Sequence, residues 1–381
     1  MRRLWVLLLV YAVAGVAMAA GPRARDLGVP FDGIPGPLDA ITDVAGVVVG
    51  QVTLINDLVD GHKVRTGVTA IVPRGRASYD VPVFAGWSAL NGNGEMTGTA
   101  WLQESGQLEG PVMLTNTHSV GVVRDAVIAE RVRASGADAS GYWWSLPVVA
   151  ETWDGGLNDI NGFHVHAEDA VRALREAHGG PVAEGNVGGG TGMICHEFKC
   201  GIGTASRRVV VGGTEYTLGV LVQANYGTRD SLRIAGVPVG QYLRQGLPPR
   251  RAGDTGSIII VVATDAPLLP HQLTRIARRA GMGLARMGSY SGNGSGDIFV
   301  AFSTANADAL HDRDLQQASF IGNDHLDPLF EATVQAVEES IVNAMVAARD
   351  MCGERGRCVK AIPHAELTAL LKRFGRYQPP R

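Results

Sequence analysis

An unbroken apolar run, Ile258-Ile259-Ile260-Val261-Val262-Ala263, follows directly on a polar segment, 245–255, that holds Gly246, Pro248, Pro249 and Gly253 and shows neither helix nor strand period. Such a run is a buried strand, and a buried strand needs other layers to cover it. The pair Gly256-Ser257 stands at the junction, so Ser257 opens the strand. A backbone cut before Ser257 would give one residue both a nucleophilic hydroxyl and a free α-amine. The plainer reading is a Gly-Ser turn into a core strand, and the chemical one needs support from elsewhere in the chain.

With 381 residues, 45% of them apolar, the chain can build a large core. Its 50 glycines and 19% charged residues point to tight turns and close backbone approaches, not disorder. The net charge of −3 and the lack of a Lys/Arg cluster exclude a nucleic-acid binder. Residues 1–20 read as a secretory signal: Arg2-Arg3, an apolar stretch, then small residues ending Ala17-Met18-Ala19-Ala20. The alternative is an N-terminal membrane anchor, for which the stretch is short. The expectation is a periplasmic or secreted protein, with no stable membrane insertion once the signal is removed. In that setting Cys195 with Cys200, and Cys352 with Cys358, are candidates for two local disulfides. A metal site from Cys195, His196 and Cys200 lacks a second Cys/His pair at familiar spacing, so no metal is expected.

Apolar runs at 46–55, 67–72, 81–90, 111–115 and 147–150 read as strands, and 209–211 with 216–224 as a hairpin around Gly212-Gly213. Helix spacing marks 120–132 and 167–177. Beyond Ser257 it recurs in Leu273, Ile276, Ala277, Ala280, Leu284 and Met287, and again from Leu329 to Met345, on either side of a strand at 297–303. This order implies helices packed on stacked sheets, in one domain from residue 21 to 381, because no clean linker appears outside 244–256.

Polar, glycine-flanked clusters fall at strand ends: Glu151-Thr152-Trp153-Asp154-Gly155, Asn225-Tyr226-Gly227, and Ser291 to Asp297. Each alone also suits a turn. The run Gly185-Asn186-Val187-Gly188-Gly189-Gly190-Thr191-Gly192 lacks the Gly-Lys-Ser/Thr ending of a phosphate loop. No Gly-x-Ser-x-Gly elbow is present, and His118 and the His164/His166 pair, read as alternating on a strand, single out no triad base. A serine nucleophile here needs another base, and an α-amine, with a reference pKa of about 7.7–8.0, supplies one.

At this point the chain resembles the self-processing L-aminopeptidase/D-esterase and β-peptidyl aminopeptidase family. The likeness runs from Gly21-Pro22-Arg23-Ala24-Arg25-Asp26-Leu27-Gly28 through the 185–193 run and Val222-Gln223-Ala224-Asn225 to Ala263-Thr264-Asp265-Ala266-Pro267-Leu268. It implies a four-layer αββα sandwich, similar to N-terminal nucleophile hydrolases with different connectivity. It also implies cleavage between Gly256 and Ser257 into an α chain, 21–256, and a β chain, 257–381, assembled as a tetramer of αβ units. By position, the resemblance makes Ser257 the nucleophile and its amine the base. Asn225 becomes an oxyanion donor, Ser295 and Asp297 the pair orienting the nucleophile, and Glu151 the carboxylate that binds the substrate's ammonium group. Trp153 stands where some members carry Tyr, and its indole can donate a hydrogen bond but cannot serve as acid or base. The implied substrate is a short peptide, amide or ester with a free amine, handled with no cofactor. Two other readings stay open: an acyltransferase on the same fold, and a non-catalytic envelope binding protein.

Overall fold

The computed structural model describes residues 21–76, 81–135, 144–244, 256–310 and 314–380. The expected signal segment, 1–20, and the breaker-rich segment 245–255 lie outside the described residues. In chain order the strands are β1 (Val48–Asp57), β2 (Lys63–Arg76), β3 (Val83–Ala89), β4 (Gln107–Leu108), β5 (Val112–Asn116), β6 (Val148–Thr152) and β7 (Ile194–Cys195). They continue as β8 (Phe198–Lys199), β9 (Ile202–Val211), β10 (Thr214–Asn225), β11 (Ser257–Thr264), β12 (Gly296–Ser303), β13 (Met351–Cys352) and β14 (Cys358–Val359). The helices are α1 (Thr99–Ser105), α2 (Val120–Ser135), α3 (Ala167–Arg175), α4 (Val239–Tyr242), α5 (Pro270–Arg286), α6 (Asp327–Val346) and α7 (His364–Arg373).

Two sheets carry the fold, a four-stranded one in the order β1-β2-β5-β6 and a six-stranded one in the order β4-β3-β12-β11-β10-β9. Alternation along β11 explains its lack of a polar face. Ile259, Val261 and Ala263 pack between the sheets with Ile71, Val112, Leu114 and Val148. Ile258, Ile260 and Val262 pack outward with Leu273 and Ile276 of α5 and Val337 and Ile341 of α6. On the far side, α2 and α3 cover the smaller sheet through Val123, Val127, Ala170 and Ala173 against Val52, Val68, Met113 and Val149. The layers therefore run α, β, β, α, as expected.

Glycine lets the outer layers sit close. A Cβ at Gly203 of β9 would lie 1.9 Å from the Ser340 carbonyl of α6, and one at Gly50 of β1 would lie 1.9 Å from the Ala173 carbonyl of α3. The run 185–192 is likewise structural. It forms a buried 3-10 turn at Gly188–Gly190 wedged against the sheets, where a Cβ at Gly190 would lie 2.4 Å from the Ile202 amide nitrogen. The His164/His166 pair is not on a strand. His164 bonds Asp159, and His166 caps the start of α3, because Asp169 takes its backbone N–H. No helix among the described residues is long and apolar enough to cross a membrane.

Candidate active site

The register of the central strands assembles the first part of the site. Asn225, the last residue of β10, pairs with Ser257, the first of β11, and Ser257 pairs in parallel with Gly296, the first of β12. Three strand ends thus bring Asn225, Ser257 and the Ser295-Gly296-Asp297 segment into one row. Ser257 is buried, as are Asn225, Ser295 and Asp297. Ser295 Oγ donates to Asp297 Oδ1 at 2.7 Å, and the Asp297 N–H donates to Asn91 Oδ1 at 2.7 Å, so the loop after β3 holds this end of β12.

Gly256 is fixed by backbone contact. A Cβ there would lie 2.2 Å from the Asn225 carbonyl oxygen and 2.4 Å from Tyr226 Cα, which no side chain tolerates. Its carbonyl oxygen accepts the Gly296 N–H at 3.2 Å. The carbonyl of the Gly256–Ser257 peptide therefore rests on a backbone donor.

Asn225 is held at both ends of its amide. Oδ1 accepts the Ile194 N–H at 2.9 Å, and Nδ2 donates to the Trp153 carbonyl at 2.8 Å. Trp153 thus enters the site through its main chain. Its indole is partly exposed and lies over Gly155, where a Cβ would stand 2.7 Å from the ring.

Glu151 arrives from the other sheet, near the end of β6 and paired with Thr115 of β5. One carboxylate oxygen accepts the Glu95 N–H at 3.0 Å, and the other accepts the Thr117 hydroxyl. Burial pushes its pKa above the ordinary carboxylate range, against the opposing pull of these two donors. Gly94 marks the space between the sheets, since a Cβ there would be 3.3 Å from Glu151 Oε1 and 3.3 Å from Gly296 Cα. Glu151 and the Gly296 end of β12 therefore face each other across one glycine.

Both cysteine pairs are joined. Cys195–Cys200 closes the small β7–β8 hairpin beside Asn225, and Cys352–Cys358 bridges β13 and β14. The loop closed by the second pair supports the turn after β6, because the Glu354 N–H donates to the Leu157 carbonyl at 2.7 Å.

Three residues near the site were not picked out by sequence reasoning. Thr117 follows the end of β5 and looks like any turn threonine. Asp154 was noted only as part of its cluster; it is buried, and burial raises its pKa to about 7. Lys199 is fully buried and, with burial as the cause, has its pKa pushed well below the ordinary lysine value. Its position inside a short Cys-Cys loop was the only signal available.

Known proteins resemble this chain over most of its length. A family model described as peptidase family S58 matches residues 39–359. A β-peptidyl aminopeptidase, BapA, from Sphingosinicella microcystinivorans is 55% identical over 96% of this chain and 95% of its own length. The solved L-aminopeptidase D-Ala-esterase/amidase of Ochrobactrum anthropi, described as a prototype for the serine aminopeptidases and a new variant among the Ntn hydrolase fold, is 50% identical. It superposes with a TM-score of 0.89 over 93% of this chain and 99% of that one. A β-aminopeptidase from a Burkholderia species is 51% identical, with a TM-score of 0.86 over 94% of this chain and 100% of that one.

Proposed function

From the chain's membership of peptidase family S58, which makes it a serine aminopeptidase/amidase, we infer that it works as a self-processing enzyme with Ser257 as the nucleophile. The observation that carries this reading is the row Asn225–Ser257–Gly296, with the Gly256 carbonyl resting on the Gly296 N–H at 3.2 Å.

In the uncut chain, attack by the Ser257 hydroxyl on the Gly256 carbonyl carbon converts the amide to an ester, and water then releases the 21–256 and 257–381 chains. The Ser257 nitrogen, an amide until then, becomes an amine able to accept a proton. In turnover, Ser257 Oγ gives its proton to that amine and bonds to the substrate carbonyl carbon. The oxyanion is met by the N–H of Asn225 Nδ2 that is not committed to Trp153 and by backbone N–H groups. The leaving amine takes the proton from the α-ammonium, and water cleaves the acyl-enzyme. Ser295 and Asp297 hold the nucleophile and its amine from the β12 side.

The buried Glu151 carboxylate accepts the substrate's ammonium group. A buried charge of this kind favours a cation that brings its own hydrogen-bond donors and disfavours a blocked N-terminus, so the enzyme releases terminal residues from short peptides, amides or esters. The names of its relatives extend the substrate class to β-amino N-terminal residues. We place the working form outside the cytoplasm, as an oligomer of αβ units.

The test is the intact mass under denaturing conditions of the purified protein beside its Ser257→Ala variant, followed by turnover of α- and β-peptides with free and acetylated N-termini. Two fragments joining at Gly256/Ser257, a single chain in the variant, and hydrolysis only of free-amine substrates are expected. One intact chain in both proteins removes the α-amine mechanism.

A further inference from the structure

Lys199 has no evident reason to be where it is. It is fully buried, and no carboxylate pairs with it among the described residues. An apolar side chain would fill the same space without the cost of desolvating an amine. Its surroundings are nevertheless built to hold it. The β7–β8 turn has His196 at φ 47 and Glu197 at φ 61, the left-handed pair of a tight hairpin, inside the loop closed by Cys195 and Cys200. Arg229 clamps that turn, donating to the His196 carbonyl at 2.9 Å and the Glu197 carbonyl at 2.7 Å, with its guanidinium 3.2 Å above the Phe198 ring.

The hairpin delivers Lys199 Nζ to two carbonyls, Met193 at 2.8 Å and Cys200 at 2.6 Å. Two N–H donors suffice for both acceptors, and the amine has two in either protonation state. The Met193 carbonyl belongs to the same peptide unit as the Ile194 N–H, and that N–H donates to Asn225 Oδ1. The bonds therefore run in series: amine to peptide carbonyl, peptide N–H to side-chain carbonyl, side-chain N–H to the oxyanion. Each intermediate group is a delocalised amide, in which loading the oxygen makes the nitrogen a stronger donor.

Resting on the function proposed above, we propose that Lys199 is a positioning residue for catalysis, which orients and polarises the Asn225 amide through the Met193–Ile194 peptide. Its contribution is made where negative charge develops, so it belongs to the transition state and not to substrate binding.

A double-mutant cycle tests this with Lys199→Met, Asn225→Ala and the double variant of the full chain, using rates normalised to the amount of free Ser257 N-terminus. Lys199→Met is expected to lower kcat about tenfold with KM within about twofold. In the Asn225→Ala background the same change is expected to alter kcat less than about twofold. Where Asn225→Ala slows cutting so far that turnover cannot be read, the rate of cutting over days, read by intact mass, is the quantity compared in all four proteins. A folded Lys199→Met with wild-type kcat overturns the proposal, and so does a loss of equal size in both backgrounds, which is what a purely structural role produces. If Lys199→Met does not fold, Lys199→Gln, which keeps an N–H donor, takes its place: kcat within about threefold of wild type is expected, and a folded Lys199→Gln that loses kcat about tenfold or more, equally in both backgrounds, overturns the proposal. A wild type that turns over no free-amine substrate sinks the function itself, and the wild-type arm alone reveals that.

Discussion

Asp154 offers a quantitative test of how the turn after β6 is held. The side chain is buried, accepts a hydrogen bond from Asn158 Nδ2 at 3.0 Å, and sits next to the Trp153 carbonyl that orients Asn225. Burial raises its pKa from 3.8 to about 7, despite the opposing pull of Thr66, Asn158 and Asn116. A carboxyl raised in this way binds its proton more tightly folded than unfolded. Its contribution to stability is therefore complete below pH 4, falls as pH rises, and is lost once pH passes about 7. A gap of this size corresponds to about 4 kcal/mol between pH 4 and pH 8. Asp154→Asn mimics the neutral acid at every pH and removes that slope. The assay is urea unfolding at several pH values of Asp154→Asn and its parent, both in the Ser257→Ala background so that each is a single chain on the proposed reading. The stability difference between the two should move in favour of Asn by about 4 kcal/mol from pH 4 to pH 8. A movement below about 1 kcal/mol would mean that the folded protein carries Asp154 with an ordinary pKa, and the argument from burial would fall.

Two further outcomes are expected at the site. Thr117→Val removes one of the two donors that stabilise ionised Glu151, so its pKa, already raised by burial, rises further. On the proposed reading the α-amine sets one acid limb of kcat/KM and ionisation of Glu151 a second, lower one, which should move up by about one pH unit while the plateau at higher pH stays in place; a lower limb that does not move removes Glu151 from binding the substrate ammonium. Gly256→Ala places a methyl group 2.2 Å from the Asn225 carbonyl oxygen and displaces the peptide to be cut, so uncut chain should accumulate and cutting should slow at least about tenfold by time-resolved intact mass. Cutting at the wild-type rate would show that the seating of Gly256 on β10 is unrelated to processing.

The parts of the fold that could be read from the sequence are those where side-chain pattern and burial agree. Strand β11 announces itself because both its faces are covered, and α5 because its apolar stripe repeats at helical spacing. The inner half of β9 does not, because Thr204, Ser206 and Arg207 are polar yet buried. Arg207 reaches Glu339 at 2.7 Å, and the Thr204 carbonyl accepts Arg23 Nη2 at 2.6 Å, partners more than a hundred residues away that no local pattern reveals. Helix α6 similarly hides Glu339 and Asn343 in its buried face. At the site, Ser257, Asn225 and Asp297 were visible as polar residues at the ends of apolar strands. Their being neighbours, and the approach of Glu151 across Gly94, depend on strand order and on the stacking of two sheets. Lys199 was hidden for a simpler reason: lysine is ordinarily a surface residue, and only the loop that encloses it makes it otherwise.

The place of β11 in the sheet has a kinetic consequence. Strands β11 and β12 lie between β3 and β10, so after the proposed cut the smaller chain is inserted as a pair of central strands within the larger one, hydrogen-bonded along both flanks. Before the cut, unfolding and refolding are events of one molecule. Afterwards a fully unfolded enzyme is two separate polypeptides, and its return requires them to meet, at a rate set by concentration. In a dilute compartment the mature enzyme would then persist by the slowness of its unfolding, with its durability measured as a lifetime and no longer as an equilibrium.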